Sequence, residues 1–221
     1  MSATDLSAHA LGLDLGDRAV LDGIELTAHA GVPLGVSGPS GSGKTLLLLA
    51  LAGLIVPTRG TVSIDGAPVD GTEPSNRARF GIILQSQGLV MEMTAEENVA
   101  LPLQQRALDG ADVASRTSDA LAAVGLAQVG DRMAGELSGG QRQRVGVARA
   151  LAGSPEIVIA DEPTAELDPD NRARILSLLL QPSSPRIVVV ASNDPEVSKA
   201  CHRTIHLRDG RLEPDGERPH R

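Results

Sequence analysis

Residues Gly38, Pro39, Ser40, Gly41, Ser42, Gly43, Lys44 and Thr45 satisfy the pattern G-x-x-x-x-G-K-[ST] in full, and no other stretch constrains the fold as tightly. Residues 32–37 before it read as a buried strand, and residues 44–54 after it as an apolar helix closed by Gly53. Strand, glycine turn and helix in that order wrap backbone N–H groups around a concave space at the positive end of a helix dipole. Such a nest suits the oxygens of a phosphate chain. There Lys44 reaches the β- and γ-phosphates, and the Thr45 hydroxyl ligates Mg²⁺. A Gly/Ser-rich turn carrying a solvated lysine explains the glycines but leaves the flanking strand and helix without a reason.

The rest of the chain alternates short apolar strands with helices, the pattern of an α/β fold whose sheet is covered on both faces. Strands are expected at 20–26, 61–64, 82–84, 157–160 and 187–191, and helices at 95–106, 111–124 and 138–152. Residues 181–185 read as a loop, and 209–221 as a polar tail that frays. Asp161 and Glu162 follow the fully apolar strand 157–160, so two carboxylates stand where open α/β sheets bind ligands, outside the carboxyl ends of their strands. Asp161 suits holding Mg²⁺, directly or through water, and Glu162 suits drawing the proton from an attacking water.

Composition narrows the partners. The 221 residues carry a net charge of −8, against the clustered Lys and Arg that a nucleic-acid surface needs. The longest apolar run, residues 46–56, is far short of the roughly 20 residues of a spanning helix, so any membrane role comes through a partner. The one cysteine, Cys201, has no internal disulfide partner and reads as a buried structural thiol. With no signal peptide evident, a reducing cytoplasm is expected.

Leu137, Ser138, Gly139, Gly140 and Gln141 resemble the signature motif of the ABC transporter ATPases, and residues 142–151 are similar to that family's signature helix. The Ser-Gly-Gly turn at a helix N-terminus is a second cradle for anionic oxygens. One chain hardly needs two. The resemblance implies that the second cradle serves the ATP of an opposing subunit, in a head-to-tail dimer of this chain with itself or with a second nucleotide-binding subunit. Gln85 is similar to the family's Q-loop glutamine, which touches Mg²⁺ or water and signals to the membrane subunit. Residues 163–168 look like its D-loop, with Asp168 reaching across the dimer. Arg142, Arg144 and Arg149 read as a solvated or ion-paired helix face rather than a basic patch. Residues 94–103 resemble the branch serving lipoprotein release, macrolide export and the cell-division complex.

The fold implied is a P-loop NTPase: a RecA-like core with a mixed sheet at about 1–90 and 155–208, a helical subdomain at about 91–154, and a small N-terminal antiparallel β region. The function implied is ATP binding and hydrolysis, with Mg²⁺, as the cytoplasmic motor of a transmembrane permease.

Two positions depart from the family. Asn193 stands where the family has a histidine that contacts the γ-phosphate. An amide donates to phosphate but carries no proton near neutrality, and losing one preorganised contact slows hydrolysis by roughly a hundredfold. His202 and His206, on what reads as a loop and an edge strand, offer no obvious substitute and do not read as metal ligands. Leu15 stands where an aromatic usually stacks on adenine, a contact worth about 1–3 kcal/mol between bases and aromatics. These departures leave a second reading open, a regulatory subunit with a degenerate, hydrolysis-impaired site.

Overall fold

The computed structural model describes residues 4–104, 108–181 and 185–213, and places the strands in two sheets. The first is antiparallel in the order β2-β1-β4-β5, from β1 (Asp5–Leu15), β2 (Arg18–His29), β4 (Arg59–Ile64) and β5 (Ala67–Pro68). The second has the order β10-β9-β3-β8-β7-β6, from β3 (Leu34–Ser37), β6 (Phe80–Ile83), β7 (Ile157–Asp161), β8 (Ile187–Ala191), β9 (Arg203–Arg208) and β10 (Arg211–Leu212). Strands β9 to β6 run parallel, while β10 is antiparallel to β9. The helices are α1 (Lys44–Leu51), α2 (Pro74–Arg77), α3 (Ala95–Gln104), α4 (Gly110–Ala123), α5 (Gly139–Ala152), α6 (Pro169–Leu179) and α7 (Pro195–Ala200). The α/β fold with a mixed sheet, an antiparallel region and a helical segment is therefore as expected.

Period-two geometry explains why residues 157–160 of β7 and all of β8 are apolar. Ile157 and Ile159 of β7, with Ile187 and Val189 of β8, pack on α1 and the first sheet. Their neighbours Val158, Ala160, Val188 and Val190 point the other way, into a second core built with α3, α4, α5 and α6. Both faces are covered, so both registers are apolar. Truncating Ile159, 2% exposed, to alanine costs about 2–5 kcal/mol.

Strand order also sets the site. β8 lies between β3 and β7, all parallel, so their carboxyl ends emerge side by side. The glycine turn after Ser37, the carboxylates at the end of β7 and the residues after Ala191 are brought to one edge by topology alone.

Several expectations are corrected. The helix expected over 44–54 stops at Leu51, because the chain turns at Gly53 with φ of 70°. The last two residues of the helix expected at 95–106 lie outside the described residues, as do 182–184 of the expected loop and 214–221 of the expected tail. The start of that tail does not fray: Arg211 and Leu212 form β10, and the Arg211 guanidinium donates to Asp22 Oδ2 at 2.7 Å. β9, which carries His206, is not an edge, since β3 flanks it on one side and β10 on the other. Strand β1 and helices α6 and α7 extend what the sequence pattern revealed. No helix among the described residues is long and apolar enough to cross a membrane.

Candidate functional site

At the shared edge, a cavity of about 260 Å³ is lined by Ser40, Gly41, Gly43, Lys44, Thr45, Leu46, Gln85, Asp161, Glu162 and Asn193. Residues from four separate segments thus converge on one space. Gly38, Pro39 and Ser42 complete the turn behind it. Leu15, Ser138, Gly139, Gly140, Gln141 and Asp168 do not line it.

The turn has the geometry of an unfinished ligand shell. Gly43, with φ of 104°, occupies the N-cap of α1, and a β-carbon there would stand 3.0 Å from Leu21 and 3.1 Å from the Val20 carbonyl. Only glycine fits. Helices α4, α5, α6 and α7 are each capped by a side chain (Asp109, Ser138, Asp168 and Asp194), whereas α1 has no capping side chain and no acidic residue in its first turn. Its leading N–H groups have the helix dipole behind them and no side-chain acceptor in front. Ser42 Oγ is buried and, among the described residues, has no hydrogen-bond partner. The Lys44 ammonium is buried and curls back to donate to the carbonyls of Gly38 at 2.7 Å and Pro39 at 3.1 Å. A cation and a ring of free donors, with no protein anion between them, fit a polyphosphate.

Groups that would suit a metal lie in the same cavity. Thr45 Oγ1 donates to Asp161 Oδ2 at 2.5 Å, with Asp161 itself buried. One hydroxyl, one carboxylate and the nearby Gln85 amide make a sparse donor set. It fits Mg²⁺, which keeps waters and takes phosphate oxygens beside one or two carboxylates, rather than a cation caged entirely by protein.

Glu162 is held in both its backbone and its side chain. Its φ is 46°, in the left-handed region that non-glycine residues occupy at a cost. Its N–H donates to the Ala191 carbonyl at 2.9 Å. Ser192 Oγ donates to Oε2 at 2.7 Å, and the backbone N–H of Asn193 donates to Oε1 at 3.0 Å. Both carboxylate oxygens are held at the mouth of the cavity by the segment after β8. The contact from Asn193 is made by its main chain, so it survives any change of side chain at that position. Ser192, which the sequence reading passed over, is a site residue. Its signal was its place at the exit of the fully apolar run 187–191.

The signature turn is built differently. Ser138 is the N-cap of α5: its Oγ accepts from Gln141 N at 3.3 Å, and Gln141 Oε1 accepts from Ser138 N at 2.9 Å, a reciprocal capping box. Beside it lies the Glu166 carboxylate, so close to Gly139 that a β-carbon there would overlap Oε2. Asp168 caps α6, accepting from Asn171 N at 3.0 Å and Asn171 Nδ2 at 2.6 Å, and these bonds lower its pKa below the ordinary value. The arginines of α5, expected as a solvated or ion-paired face, are half-buried and donate to backbone carbonyls. Arg142 donates to the Leu137 carbonyl, Arg144 to those of Val124 and Gly125, and Arg149 to those of Gln87 and Gly88. They fasten loops to the helix. Cys201 is buried as expected, and desolvation pushes its thiol up to about 11.

Comparison with known proteins agrees with this geometry. The family described as ABC transporter matches residues 21–165. A lipoprotein-releasing system ATP-binding protein, LolD, of Bordetella pertussis is 37% identical over 203 residues, covering 89% of this chain and 88% of its own. The LolD 1 protein of Caulobacter vibrioides is 40% identical over 207 residues, covering 89% and 87%. Among solved structures, the dimeric bacterial ABC transporter cassette MJ0796 superposes with a TM-score of 0.88 at 32% identity, covering 95% of this chain and 97% of that one. The same cassette in a post-hydrolysis state bound to ADP and Pi gives 0.86 at 32% identity over the same shares. The alternative of a hydrolysis-impaired regulatory subunit is not favoured beside relatives of this kind. With its glycine turn, paired carboxylates and signature helix assembled as described, the chain belongs to the ABC transporter family, as an ATP-binding subunit that hydrolyses ATP.

Proposed function

We propose that this chain is the peripheral motor of a membrane permease of the lipoprotein-releasing kind, and that its residues divide the work as follows. Gly38, Pro39, Ser40, Gly41, Ser42, Gly43 and Lys44 hold the triphosphate of ATP, with Lys44 leaving its carbonyl partners for the β- and γ-oxygens. Thr45, Asp161 and Gln85 would hold Mg²⁺, which would supply positive charge to offset that of the phosphates. Glu162 takes a proton from the water that attacks the γ-phosphorus as its bond to the bridging oxygen breaks, giving ADP and phosphate. Asn193 donates its amide to a γ-oxygen, and Leu15 lies beside the adenine.

Ser138, Gly139, Gly140, Gln141 and Asp168 act on the nucleotide of an opposing subunit, either a second copy or a related chain, in a head-to-tail pair. The absence of these residues from the cavity beside Lys44 supports that reading. Exposed Val90, Met91 and Met133 supply an apolar surface for the permease. Met91 and Met133 lie on neighbouring backbone, the Met91 carbonyl accepting from Gly135 N and Thr94 bridging Met133. They belong to the segment 91–154 that we take as the helical subdomain between the two parts of the core. This places the chain on the inner face of the membrane through the permease alone, away from nucleic acid.

The observation that carries the reading is Glu162, with both oxygens fixed beside Lys44, Thr45 and Asp161. Steady-state ATPase assays and nucleotide binding on the purified full chain test it. Lys44→Ala is expected to weaken ATP binding and cut turnover by about a thousandfold or more. Glu162→Gln, which keeps the shape and loses the base, is expected to cut kcat by roughly a hundredfold or more with binding intact. Wild-type turnover from either variant contradicts the proposal.

A further inference from the structure

Behind the reacting groups lies a buried polar link that the site description does not use. Gln143, on α5 just past the signature turn, is 1% exposed. Its Nε2 donates to the backbone carbonyl of Glu162 at 3.3 Å, and its Oε1 accepts from Gln87 Nε2 at 3.3 Å. Gln87 is itself buried, two residues after Gln85, and sits at φ of 59°. Gln87 and Glu162, the two residues that Gln143 joins, are thus both in the left-handed region although neither is glycine.

Such conformations persist only where the surroundings over-determine them. Glu162 is held by its N–H to Ala191 and by its carbonyl to Gln143, and the Gln87 turn is held from the same helix by Arg149, which reaches the Gln87 and Gly88 carbonyls, both at 2.6 Å. Gly146, between those two side chains on α5, faces the same backbone: a β-carbon there would stand in ordinary van der Waals contact with the Gln87 carbonyl, at 3.7 Å. One helix, capped by Ser138, therefore grips both the Mg²⁺-side loop and the turn that aims Glu162.

We infer that Gln143 is a positioning residue for hydrolysis: its carboxamide fixes the Glu162 turn to the signature helix, so that the general base is aligned only when that helix is seated. The inference rests on the proposed role of Glu162 and adds to it. A shift of α5 relative to the sheet pulls on the Glu162 carbonyl, and a misplacement of the base by an ångström is enough to cost much of its effect.

The test compares Gln143→Leu and Gln143→Glu with wild type in the full chain. Gln143→Glu keeps the acceptor for Gln87 but offers no N–H to the Glu162 carbonyl, and it serves alone if the leucine variant does not fold. Each is expected to lower kcat about tenfold while the Kd for ATP stays within about twofold, a split that a general loss of structure does not produce. In single-turnover reactions with enzyme in excess, adding Gln143→Glu to Glu162→Gln is expected to slow the residual rate by less than about twofold. An unchanged kcat, an equal loss of ATP affinity, or the same tenfold loss in the Glu162→Gln background overturns the inference. Full turnover by Glu162→Gln alone is a different failure, that of the general-base reading itself.

Discussion

The chain carries two glycine turns at helix N-termini, and folding finishes only one of them. The turn at residues 38–45 opens an uncapped helix, has a buried lysine beside it, and faces two carboxylates across a cavity. The turn at 138–141 opens a helix whose first N–H groups are already satisfied by its own Ser138 and Gln141, and its neighbour is the carboxylate of Glu166. The first is electrostatically ready for an anion when the chain is alone; the second is not. What separates them is the company each keeps, a cation in one case and an anion in the other. In the head-to-tail pair proposed above, an ATP seated in the first turn would bring its phosphate acceptors to the second turn of the opposing subunit.

Substitution at Gly139 breaks this comparison most sharply. Aspartate suits the first turn of a helix, so α5 keeps its start, but its carboxylate crowds Glu166 and repels a γ-phosphate. Gly139→Asp is expected to lower turnover by about a hundredfold or more while the Kd of the chain alone for ATP changes by less than about threefold. Equilibrium binding and steady-state hydrolysis, measured side by side, check it. A parallel fall in both would mean that the two turns serve one nucleotide within one chain.

A smaller effect is expected on the side of the turn at 38–45. Because the Asn193 contact to Glu162 runs through the backbone, Asn193→His is expected to change kcat by less than about tenfold. A gain near a hundredfold would mean that the side chain, and not the main-chain bond, limits this site, and would revive the hydrolysis-impaired reading.

How much of this was legible in the sequence depends on the range of the interactions. The turn at 38–45 is local, so its pattern, strand and helix are read from contiguous residues. The apolar runs of β7 and β8 announce a sheet covered on both faces. Strand β1 is hidden by its own irregularity, since its register against β2 shifts at three points and Ala10 has φ of 47°, which breaks the alternation that marks a strand. Helices α6 and α7 did carry a signal, Asp168-Pro169 and Asp194-Pro195, each an acidic cap followed by proline at the first helical position. Gln87 and Gln143 were beyond reach, and Ser192 was readable only from its place at the exit of the apolar run 187–191. Each acts on Glu162 or through another glutamine tens of residues away, and nothing in their immediate neighbours tells a buried bridging amide from an exposed one.

The most direct measurement asks whether the two turns meet across a nucleotide. Native Cys201 is buried with its thiol pushed up to about 11, so at pH 8 introduced cysteines react first. The sign for stability is consistent: the unfolded thiol ionises near 9.0, so the native state loses stability only as pH rises from there toward 11. Chains carrying Ser40→Cys are mixed with chains carrying Ser138→Cys, both in the Glu162→Gln background to slow hydrolysis, and treated with a short thiol-to-thiol crosslinker. The account predicts a mixed dimer that forms with MgATP and not without it. Crosslinking that ignores the nucleotide would contradict it, and no mixed dimer at all would contradict a pairing of this chain with itself.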